Sequence, residues 1–290
     1  MLETESFCKV NLLLNILGKR PDGFHELETI LQPVHFCDRL IFERGGEGIQ
    51  LKCSDSRLPV NSKNLVFRAT VLFFEAAHIP SREGVRIRLQ KKIPLAAGLG
   101  GGSGNAAVTL RAMNELFDCP LSFSKLMELA ALLGSDVPFF LQSKPALAVG
   151  KGEAIKPLDS FPTLQGLCWI LVYPGFGVST PWAYEHLAGF PAALHGTAGR
   201  AERLISLLQT DLNAAAGEFY NSLEAPVLRK YPLLALFQEF FREQGAVATL
   251  MSGSGSTTFA LAKTPGAAET MVERLKERFG VNIWTAIINV

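Results

Sequence analysis

The sequence predicts an α+β protein with two domains. Segments with strand and helix periodicity alternate irregularly in both halves of the chain, unlike the regular alternation of one doubly wound sheet. The pattern restarts after about Pro157, and 290 residues are enough for two ordinary domains with separate cores. We therefore expect one domain at residues 1–156 and a second at residues 157–290.

Composition and charge exclude several classes of function. Apolar residues make up 48% of the chain and charged residues 19%, a globular mixture without the signature of disorder. The net charge is +1, so no strong field attracts nucleic acid or an anionic membrane. We therefore expect no nucleic-acid or membrane partner, and an anionic ligand has to be held by local groups.

The N-terminal segment and the cysteines predict a cytoplasmic protein. The segment MLETESFCKVN lacks the basic stretch and apolar core of a signal peptide, and no apolar run reaches the roughly 18 residues of a spanning helix. The five cysteines are far apart in sequence, as is typical of reduced thiols. The five histidines are equally scattered and predict no metal cluster.

A period-two pattern predicts the first strand at Phe7–Leu17. Apolar side chains alternate there with Lys9, Asn11 and Asn15, so these polar side chains share one face. A turn with Pro and Asp-Gly signals follows at Gly18–Gly23. The strand therefore directs a lysine and an asparagine toward the same side.

The most informative segment is rich in glycine and lies between a predicted strand and a predicted helix. The strand, Val85–Ile93, ends at Pro94, and the helix begins at Asn105. Between them, Gly98–Gly104 has five glycines in seven residues, which lets the backbone approach a ligand closely. The helix start adds unpaired N–H groups and the positive end of its dipole. These features together predict a phosphate-binding site.

Other phosphate-binding loops do not fit this segment. A P-loop requires a lysine directly after its glycines, and Asn105 stands there instead. The dinucleotide fingerprint G-x-G-x-x-G fails in every register, and the protein-kinase signatures H-R-D and D-F-G are missing. The alternative without function is a flexible linker or a plain strand–helix turn, and a linker is not expected between two well-formed elements.

The remaining elements are predicted from the same periodicities. A helix at Ser124–Leu133 ends at Gly134. In the second half we predict, in chain order, a strand Cys168–Val172, helices Pro181–Leu187, Arg200–Gln209 and Glu224–Glu243, strands Val247–Met251 and Thr257–Leu261, a helix Ala267–Phe279 and a strand Val281–Ile288.

Three segments resemble motifs of the GHMP kinases, a family named for galactokinase and for homoserine, mevalonate and phosphomevalonate kinases. PLAAGLGGGSGNAA at Pro94–Ala107 is similar to the phosphate-binding motif of the family, FCKVNL at Phe7–Leu12 to its N-terminal strand motif, and LMSGSGSTTF at Leu250–Phe259 to its C-terminal glycine motif. The resemblance covers nearly the whole chain in motif order and spacing. It implies a ribosomal-S5-like N-terminal domain, a ferredoxin-like C-terminal domain and an active site in the cleft between them.

Two further segments narrow the resemblance to one branch of the family. GKRPDGFHEL at Gly18–Leu27 and GSDVPFF at Gly134–Phe140 are similar to kinases of the non-mevalonate route to isoprenoid precursors. Those kinases use ATP and Mg²⁺ to phosphorylate the tertiary 2-hydroxyl of CDP-methylerythritol. The resemblance therefore implies this small-molecule substrate. We expect the enzyme to be a monomer or a weak homodimer.

The resemblance assigns catalysis to two residues that are remote in sequence. Asp136 is the implied base that accepts the proton of the attacking hydroxyl, and Lys9 keeps it ionised and stabilises the transferring phosphoryl group. Taken alone, Asp136 is more simply explained as a cap of the turn at Pro138. Asn11 is implied to hydrogen-bond the substrate near the reacting hydroxyl, and is otherwise a solvated strand position.

The resemblance also assigns residues to the cytidine nucleotide. Phe24, where family members more often have Tyr, is implied to stack on the base, and His25 to read the cytosine edge. Tyr184 is the candidate for the other side of this stack, although an aromatic residue on a helix is more often part of a core. The turn Ser252–Ser256 is implied to approach the substrate diphosphate, and a plain hairpin turn explains its composition almost as well.

The implied ATP site consists of the glycine-rich segment and two positions outside it. Ser103 is implied to help hold Mg²⁺. Lys92 is a candidate contact, although an exposed strand lysine is the more frequent case, and Asn64 resembles an adenine-contacting position, with a helix cap as the equal alternative. The segment itself comprises Pro94, Leu95, Ala96, Ala97, Gly98, Leu99, Gly100, Gly101, Gly102 and Ser103.

Three alternatives remain open for the sequence alone. The first is a kinase of the same fold that acts on mevalonate or homoserine, against which the R-x-D-G-F-H-E-L segment argues. The second is a catalytically silent relative that binds ATP as a sensor, and such relatives usually lack the Lys9–Asp136 pair. The third is an RNA-binding module of similar topology, which the neutral charge balance disfavours.

Overall fold

The computed structural model describes residues 1–80, 83–142 and 144–289. The chain forms two compact units from interleaved segments. Unit one comprises Met1–Cys8, Phe36–Pro94 and Gly100–Ser143, and unit two comprises Lys9–His35, Leu95–Leu99 and Lys144–Val290. The division that we predict after residue 156 stays a prediction. Strands β1 (Leu2–Lys19) and β2 (His25–Arg44) contribute residues to both units.

Unit one combines a mixed sheet with a group of helices. Strand β4 lies centrally, parallel to β3 and antiparallel to the second half of β2. Helix α2 contacts α1, α3 and α4. The elements after β2 are β3 (Ile49–Cys53), α1 (Leu65–Ala76), β4 (Val85–Gln90), α2 (Gly101–Leu116), α3 (Phe123–Leu133) and α4 (Val137–Gln142).

The alternation of β4 is that of a strand with one buried and one exposed face. Val85, Ile87 and Leu89 are buried, whereas the residues between them are exposed. A strand with one apolar face buries that face against other elements and leaves the other face to solvent. Helix α1 likewise buries Val66 and Phe73 on one side.

Unit two contains an antiparallel sheet with the strand order β11–β7–β10–β9. In the same unit β1 pairs in parallel with β8, and β2 and β6 flank β5 in antiparallel pairs. The elements are β5 (Ala146–Gly150), β6 (Ala154–Pro157), β7 (Cys168–Tyr173), α5 (Thr180–His186), α6 (Pro191–Leu194), α7 (Arg200–Thr210), α8 (Leu212–Gly217), β8 (Tyr220–Asn221), α9 (Glu224–Lys230), α10 (Pro232–Glu243), β9 (Ala248–Met251), β10 (Thr258–Ala262), α11 (Pro265–Phe279) and β11 (Trp284–Asn289).

The core of unit two lies between this sheet and the helices α10 and α11. Phe237 and Phe241 of α10, Ile170 of β7 and Leu275 of α11 are fully buried in one cluster. Burying such side chains is the main source of folding free energy. In the described part of the chain, none of the helices has the length and apolarity to cross a membrane.

Two predicted helix boundaries are wrong, for physical reasons. The helix after the glycine-rich segment begins at Gly101 rather than Asn105. The predicted helix Glu224–Glu243 is two helices, because Pro232 lacks an N–H group and disfavours helical geometry at Tyr231, where φ is −123° and ψ is 74°. The other predicted helices agree with the structure to within about two residues at each end.

Candidate active site

The polar face of β1 carries a buried lysine bonded to a buried asparagine. Lys9 and Asn11 are 4% and 3% exposed, and Lys9 Nζ donates to Asn11 Oδ1 at 2.6 Å. Asn11 Nδ2 donates in turn to Thr29 Oγ1 of β2 at 2.8 Å. The structure therefore brings together the two side chains that strand periodicity places on one face.

The carbonyl oxygen of Gly98 connects this lysine to two glycine-rich turns. It accepts hydrogen bonds from Lys9 Nζ at 3.1 Å and from Ser252 Oγ at 2.9 Å. Gly98 has a φ of +78°, and a Cβ there would lie 2.1 Å from the carbonyl oxygen of Ser252. A Cβ on Gly253 would lie 3.2 Å from Lys9 Nζ. Both turns approach the ammonium group because they lack side chains at these positions.

Backbone contacts hold the residues on either side of Gly98. The backbone N–H of Lys9 donates to the carbonyl of Leu99 at 3.0 Å, and that of Thr257 to the carbonyl of Ala97 at 3.1 Å. The Tyr173 hydroxyl donates to the carbonyl of Leu95 at 3.3 Å. Most carbonyls of the segment Leu95–Leu99 are thus engaged within unit two, which orders the segment.

Helix α2 starts at the glycines themselves. Its N-cap is Gly100 with a φ of +69°, a residue that has no side chain to cap the first-turn N–H groups. Close packing explains two of the helical glycines: a Cβ on Gly101 would lie 2.9 Å from Ile93 Cγ2, and one on Gly104 would lie 2.8 Å from Ser6 Oγ. The helix therefore presents open N–H groups and the positive end of its dipole at Gly101–Ser103.

A buried charged network lies beside this helix start, and sequence reasoning missed it. Lys91 forms an ion pair with Asp38, and both side chains are almost completely buried. Asp38 Oδ1 accepts the backbone N–H groups of Lys92 and Ile93 at 2.7 and 2.9 Å. Asn105 Nδ2 of α2 donates to Asp38 Oδ2 at 2.9 Å. The network connects β2, the end of β4 and α2. These residues match no motif by which the network could be predicted from the sequence.

Asp136 precedes α4 in unit one. Its side chain is half-buried. Helix α4 packs on α2, and Phe140 Cδ1 lies 3.3 Å from the position that a Cβ on Gly104 would occupy. Asp136 stands four residues before Phe140, one helical turn away from this contact.

The aromatic residues assigned to the base belong to unit two. The rings of His25 and Tyr184 contact each other, with centroids 5.1 Å apart and an interplanar angle of 39°. Tyr184 also packs against the core of the unit, as expected of an aromatic residue on a helix, and its contact with the base stays a prediction. Phe24 is 56% exposed, and Lys151 Nζ lies 4.7 Å from the centroid of its ring.

Asn64 is a helix cap and Lys92 an exposed lysine, which are the alternatives to ATP binding given above. Asn64 caps α1, because its Oδ1 accepts the N–H of Val66 at 2.9 Å and its Nδ2 donates to the carbonyl of Pro59 at 2.8 Å. The Lys92 side chain is exposed next to the strand end. Contacts of either residue with ATP stay predictions.

The predicted site residues divide between the two units. Unit one holds Asn64, Lys92, Pro94, Gly100, Gly101, Gly102, Ser103 and Asp136. Unit two holds Lys9, Asn11, Phe24, His25, Leu95, Ala96, Ala97, Gly98, Leu99 and Tyr184.

Family models match both parts of the chain. The model described as GHMP kinases N terminal domain matches residues 64–144, and the model described as GHMP kinases C terminal matches residues 191–281. A crystal structure of homoserine kinase from Cytophaga hutchinsonii has a TM-score of 0.71 and 21% identity, covering 99% of this chain and 95% of that chain. The fold and the two family models thus define the class, which is the α+β two-domain fold of the GHMP kinases.

Relatives of similar sequence identify the branch of the family to which the chain belongs. The chain is 40% identical to 4-diphosphocytidyl-2-C-methyl-D-erythritol kinase from Thermosynechococcus vestitus, over 93% of this chain and 90% of that protein. It is 42% identical to the kinase of the same name from Syntrophus aciditrophicus, over 90% of both chains. A crystal structure of 4-(cytidine 5'-diphospho)-2C-methyl-D-erythritol kinase has a TM-score of 0.82 and 36% identity over 100% of both chains. The chain therefore belongs to the 4-diphosphocytidyl-2-C-methyl-D-erythritol kinase family, and the resemblance inferred from its motifs is confirmed.

Proposed function

We propose that this protein transfers the γ-phosphoryl group of ATP to the 2-hydroxyl of 4-diphosphocytidyl-2-C-methyl-D-erythritol, in the non-mevalonate route to isoprenoid precursors. The relatives carry the name of this kinase. The supporting observation in the structure is the bond from Lys9 Nζ to the carbonyl oxygen of Gly98, the first glycine of the phosphate-binding segment. A buried ammonium group held at that place is suited to stabilise a transferring phosphoryl group.

The helix start of α2 supplies the proposed phosphate site. The β- and γ-phosphate oxygens accept N–H groups from Gly101–Ser103, where the helix dipole favours negative charge. The Ser103 hydroxyl fits as a ligand of Mg²⁺, which neutralises charge on the phosphates when bound. Among the described residues, no group of three or more His, Cys, Asp and Glu side chains could hold a metal ion.

The proposed chemistry is an in-line displacement. The carboxylate of Asp136 takes the proton of the substrate 2-hydroxyl, and the hydroxyl oxygen forms a bond to the γ-phosphorus. The bond from that phosphorus to the bridging oxygen breaks, and ADP leaves. Lys9 stabilises the charge on the transferring group, and Asn11, held by Lys9 and Thr29, orients the hydroxyl.

The cytidine base is proposed to bind at the aromatic residues of unit two. Phe24 offers an exposed ring for stacking. Tyr184 forms the opposite wall, and His25, already in contact with Tyr184, hydrogen-bonds the edge of the base. We place the enzyme in the cytoplasm as a monomer or a weak homodimer. The net charge of +1 supports the expectation that it has no nucleic-acid partner.

The choice of substrate separates this proposal from other kinases of the fold. We expect ATP turnover with 4-diphosphocytidyl-2-C-methyl-D-erythritol to exceed turnover with mevalonate or homoserine by at least about 10⁴-fold, because a site that hydrogen-bonds a base rejects ligands without one. ADP release with each substrate at equal concentration measures this ratio. Faster turnover of mevalonate or homoserine would refute the assignment, and ATP binding without any turnover would favour a sensor.

The protonation state of His25 predicts the pH dependence of substrate binding. Burial, together with Lys19, lowers the pKa of His25 below its ordinary value of 6.5, so the ring is neutral at pH 7. A neutral imidazole has one donor and one acceptor, and protonation removes the acceptor. We therefore expect the KM for the cytidine substrate to be lowest where the ring is neutral and to rise as the pH falls through the lowered pKa.

Steady-state kinetics between pH 5 and 8 test this pH dependence. The variant His25→Gln keeps a donor and an acceptor but does not titrate, so its KM should lack the rise at low pH. A rise in the KM of the unmodified protein whose midpoint lies above pH 6.5 would contradict the prediction, because the pKa of His25 is lowered below that value.

A further inference from the structure

Asn221 is a buried asparagine that lies outside the family motifs described above. It is 2% exposed and ends β8. Its Nδ2 donates to the carbonyl oxygens of Met251 and Gly253, each at 2.8 Å, and its Oδ1 accepts the N–H of Leu223 at 2.9 Å. One side-chain amide thus binds both Met251 and Gly253, at the start of the C-terminal glycine turn.

The glycine turn held by Asn221 contacts the Lys9 site directly. Ser252, between the two carbonyls that Asn221 binds, donates from Oγ to the carbonyl of Gly98, which also accepts Lys9 Nζ. A Cβ on Gly253 would lie 3.2 Å from Lys9 Nζ. A shift of this turn by a fraction of an ångström therefore moves the groups that surround the ammonium.

Asn221 is itself anchored to the strand that carries Lys9. Strand β8 pairs in parallel with β1, where Leu14 lies opposite Asn221. The N–H of Ser222 donates to the carbonyl of Leu14 at 2.8 Å, and Ser222 Oγ accepts the N–H of Ile16 at 3.0 Å. Glu224 also binds the start of the turn, because its carboxylate accepts the N–H of Met251 at 2.8 Å.

We infer that Asn221 is a positioning residue for phosphoryl transfer, which acts on Lys9 through Ser252 and Gly253. The inference rests on the proposed function and adds to it a residue that touches neither reactant. The side-chain amide sets the distance between the glycine turn and β1, and this distance determines where the Lys9 ammonium lies relative to the transferring group. Misplacement of a catalytic group by about 1 Å can cost on the order of 100-fold in rate.

The variant Asn221→Asp tests this inference because it keeps the size of the side chain and inverts its hydrogen bonding. A carboxylate oxygen would face two carbonyl oxygens at the positions that Nδ2 now binds, so the turn has to move. We expect kcat to fall about 100-fold. Because a loss of folded protein also lowers kcat, the measurement is made as a double-mutant cycle with Lys9→Met.

The cycle separates positioning from stability. If Asn221 acts through Lys9, Asn221→Asp lowers kcat by about 2-fold or less in the Lys9→Met background, whereas a pure stability effect lowers it equally in both backgrounds. Radiolabelled ATP makes the residual turnover measurable, and all assays are made well below the lowest Tm. Equal losses in the two backgrounds, or an unchanged kcat in folded Asn221→Asp, would overturn the inference.

Asn114 provides a matched control in unit one. It is also a buried asparagine that pins a loop, since its Nδ2 donates to the carbonyl of Leu121 and its Oδ1 accepts the N–H of Leu121, each at 3.0 Å. Asn114→Asp makes the same chemical change away from the glycine turns, so its effect on kcat should be independent of Lys9. An equal dependence on Lys9 in both variants would contradict a specific role for Asn221.

A second variant covers the case in which Asn221→Asp does not fold. Asn221→Ser shortens the side chain and leaves a single O–H donor, so at least one of the two carbonyl bonds is lost without a new charge. We expect a loss of about 10-fold in kcat that again depends on Lys9. If neither variant folds while Asn114→Asp does, Asn221 determines the fold rather than the position of Lys9, and the inference is wrong. A complete lack of turnover by the unmodified protein would instead contradict the proposed function.

Discussion

Asp136→Asn is expected to abolish nearly all phosphoryl transfer while ATP binding is retained. The substitution keeps the size of the side chain but removes the carboxylate that is proposed to accept the hydroxyl proton. Loss of a general base commonly lowers turnover by about 10²- to 10⁴-fold. The N–H groups of α2 that are proposed to bind the phosphates are unchanged, so the affinity for ATP should vary by no more than about 2-fold. Turnover and calorimetric ATP binding measure the two quantities.

A matched aspartate controls for the chemical change. Asp118 has a side chain that is 93% exposed, and Asp118→Asn should leave turnover and stability unchanged, because Asn also tolerates the positive φ of +65° at this position. Near-normal turnover in Asp136→Asn would refute the role of Asp136 as the base. It would leave the turn cap at Pro138 as the explanation for this residue.

Gly98→Ala is expected to damage both the fold and the activity. The new Cβ would lie 2.1 Å from the carbonyl oxygen of Ser252, a backbone atom that cannot move without the glycine turn. The φ of +78° adds a conformational cost of about 1–2 kcal/mol for any residue with a Cβ. With the cost of overpacking, the free energy of unfolding should fall by about 3 kcal/mol.

The activity of Gly98→Ala should fall further than its stability, because the clash separates the two turns that meet at Lys9. We expect a loss of kcat on the order of 100-fold in the protein that remains folded. Chemical denaturation and active-site titration distinguish the two effects. Gly266→Ala is the control, since a Cβ in the first turn of α11 meets nothing within 4 Å and alanine favours a helix by up to about 1 kcal/mol. A Gly98→Ala variant with normal stability and turnover would show that the two turns need not touch.

The proximity of Lys9 and Asn11 was predictable because it is local. Side chains in a strand alternate with a period of two, so residues i and i+2 share a face whatever the strand pairs with. The observed bond of 2.6 Å between Lys9 Nζ and Asn11 Oδ1 agrees with that rule. The glycine-rich segment was equally recognisable, because glycines followed by a helix are typical of phosphate sites.

The start of α2 was predicted four residues too late because packing, not propensity, decides it. Glycines disfavour helix in isolation, so periodicity alone begins the helix at Asn105. In the structure, Gly101 and Gly104 lie inside the helix, and glycine is required there because Ile93 and Ser6 leave no room for a Cβ. That steric constraint comes from residues remote in sequence and leaves no local signal.

The sequence by itself determined the class of fold, the family and the short-range groupings, because periodicity and motif spacing are local properties of the chain. Only the tertiary structure brought Asp38 to Lys91, Asn221 to Gly253 and Ser252 to Gly98. Each of these contacts joins residues separated by tens of positions or more, and each depends on buried polar groups finding partners. A buried polar group without a partner costs free energy, so these pairs form only when folding brings their members together. Local periodicity therefore cannot predict them.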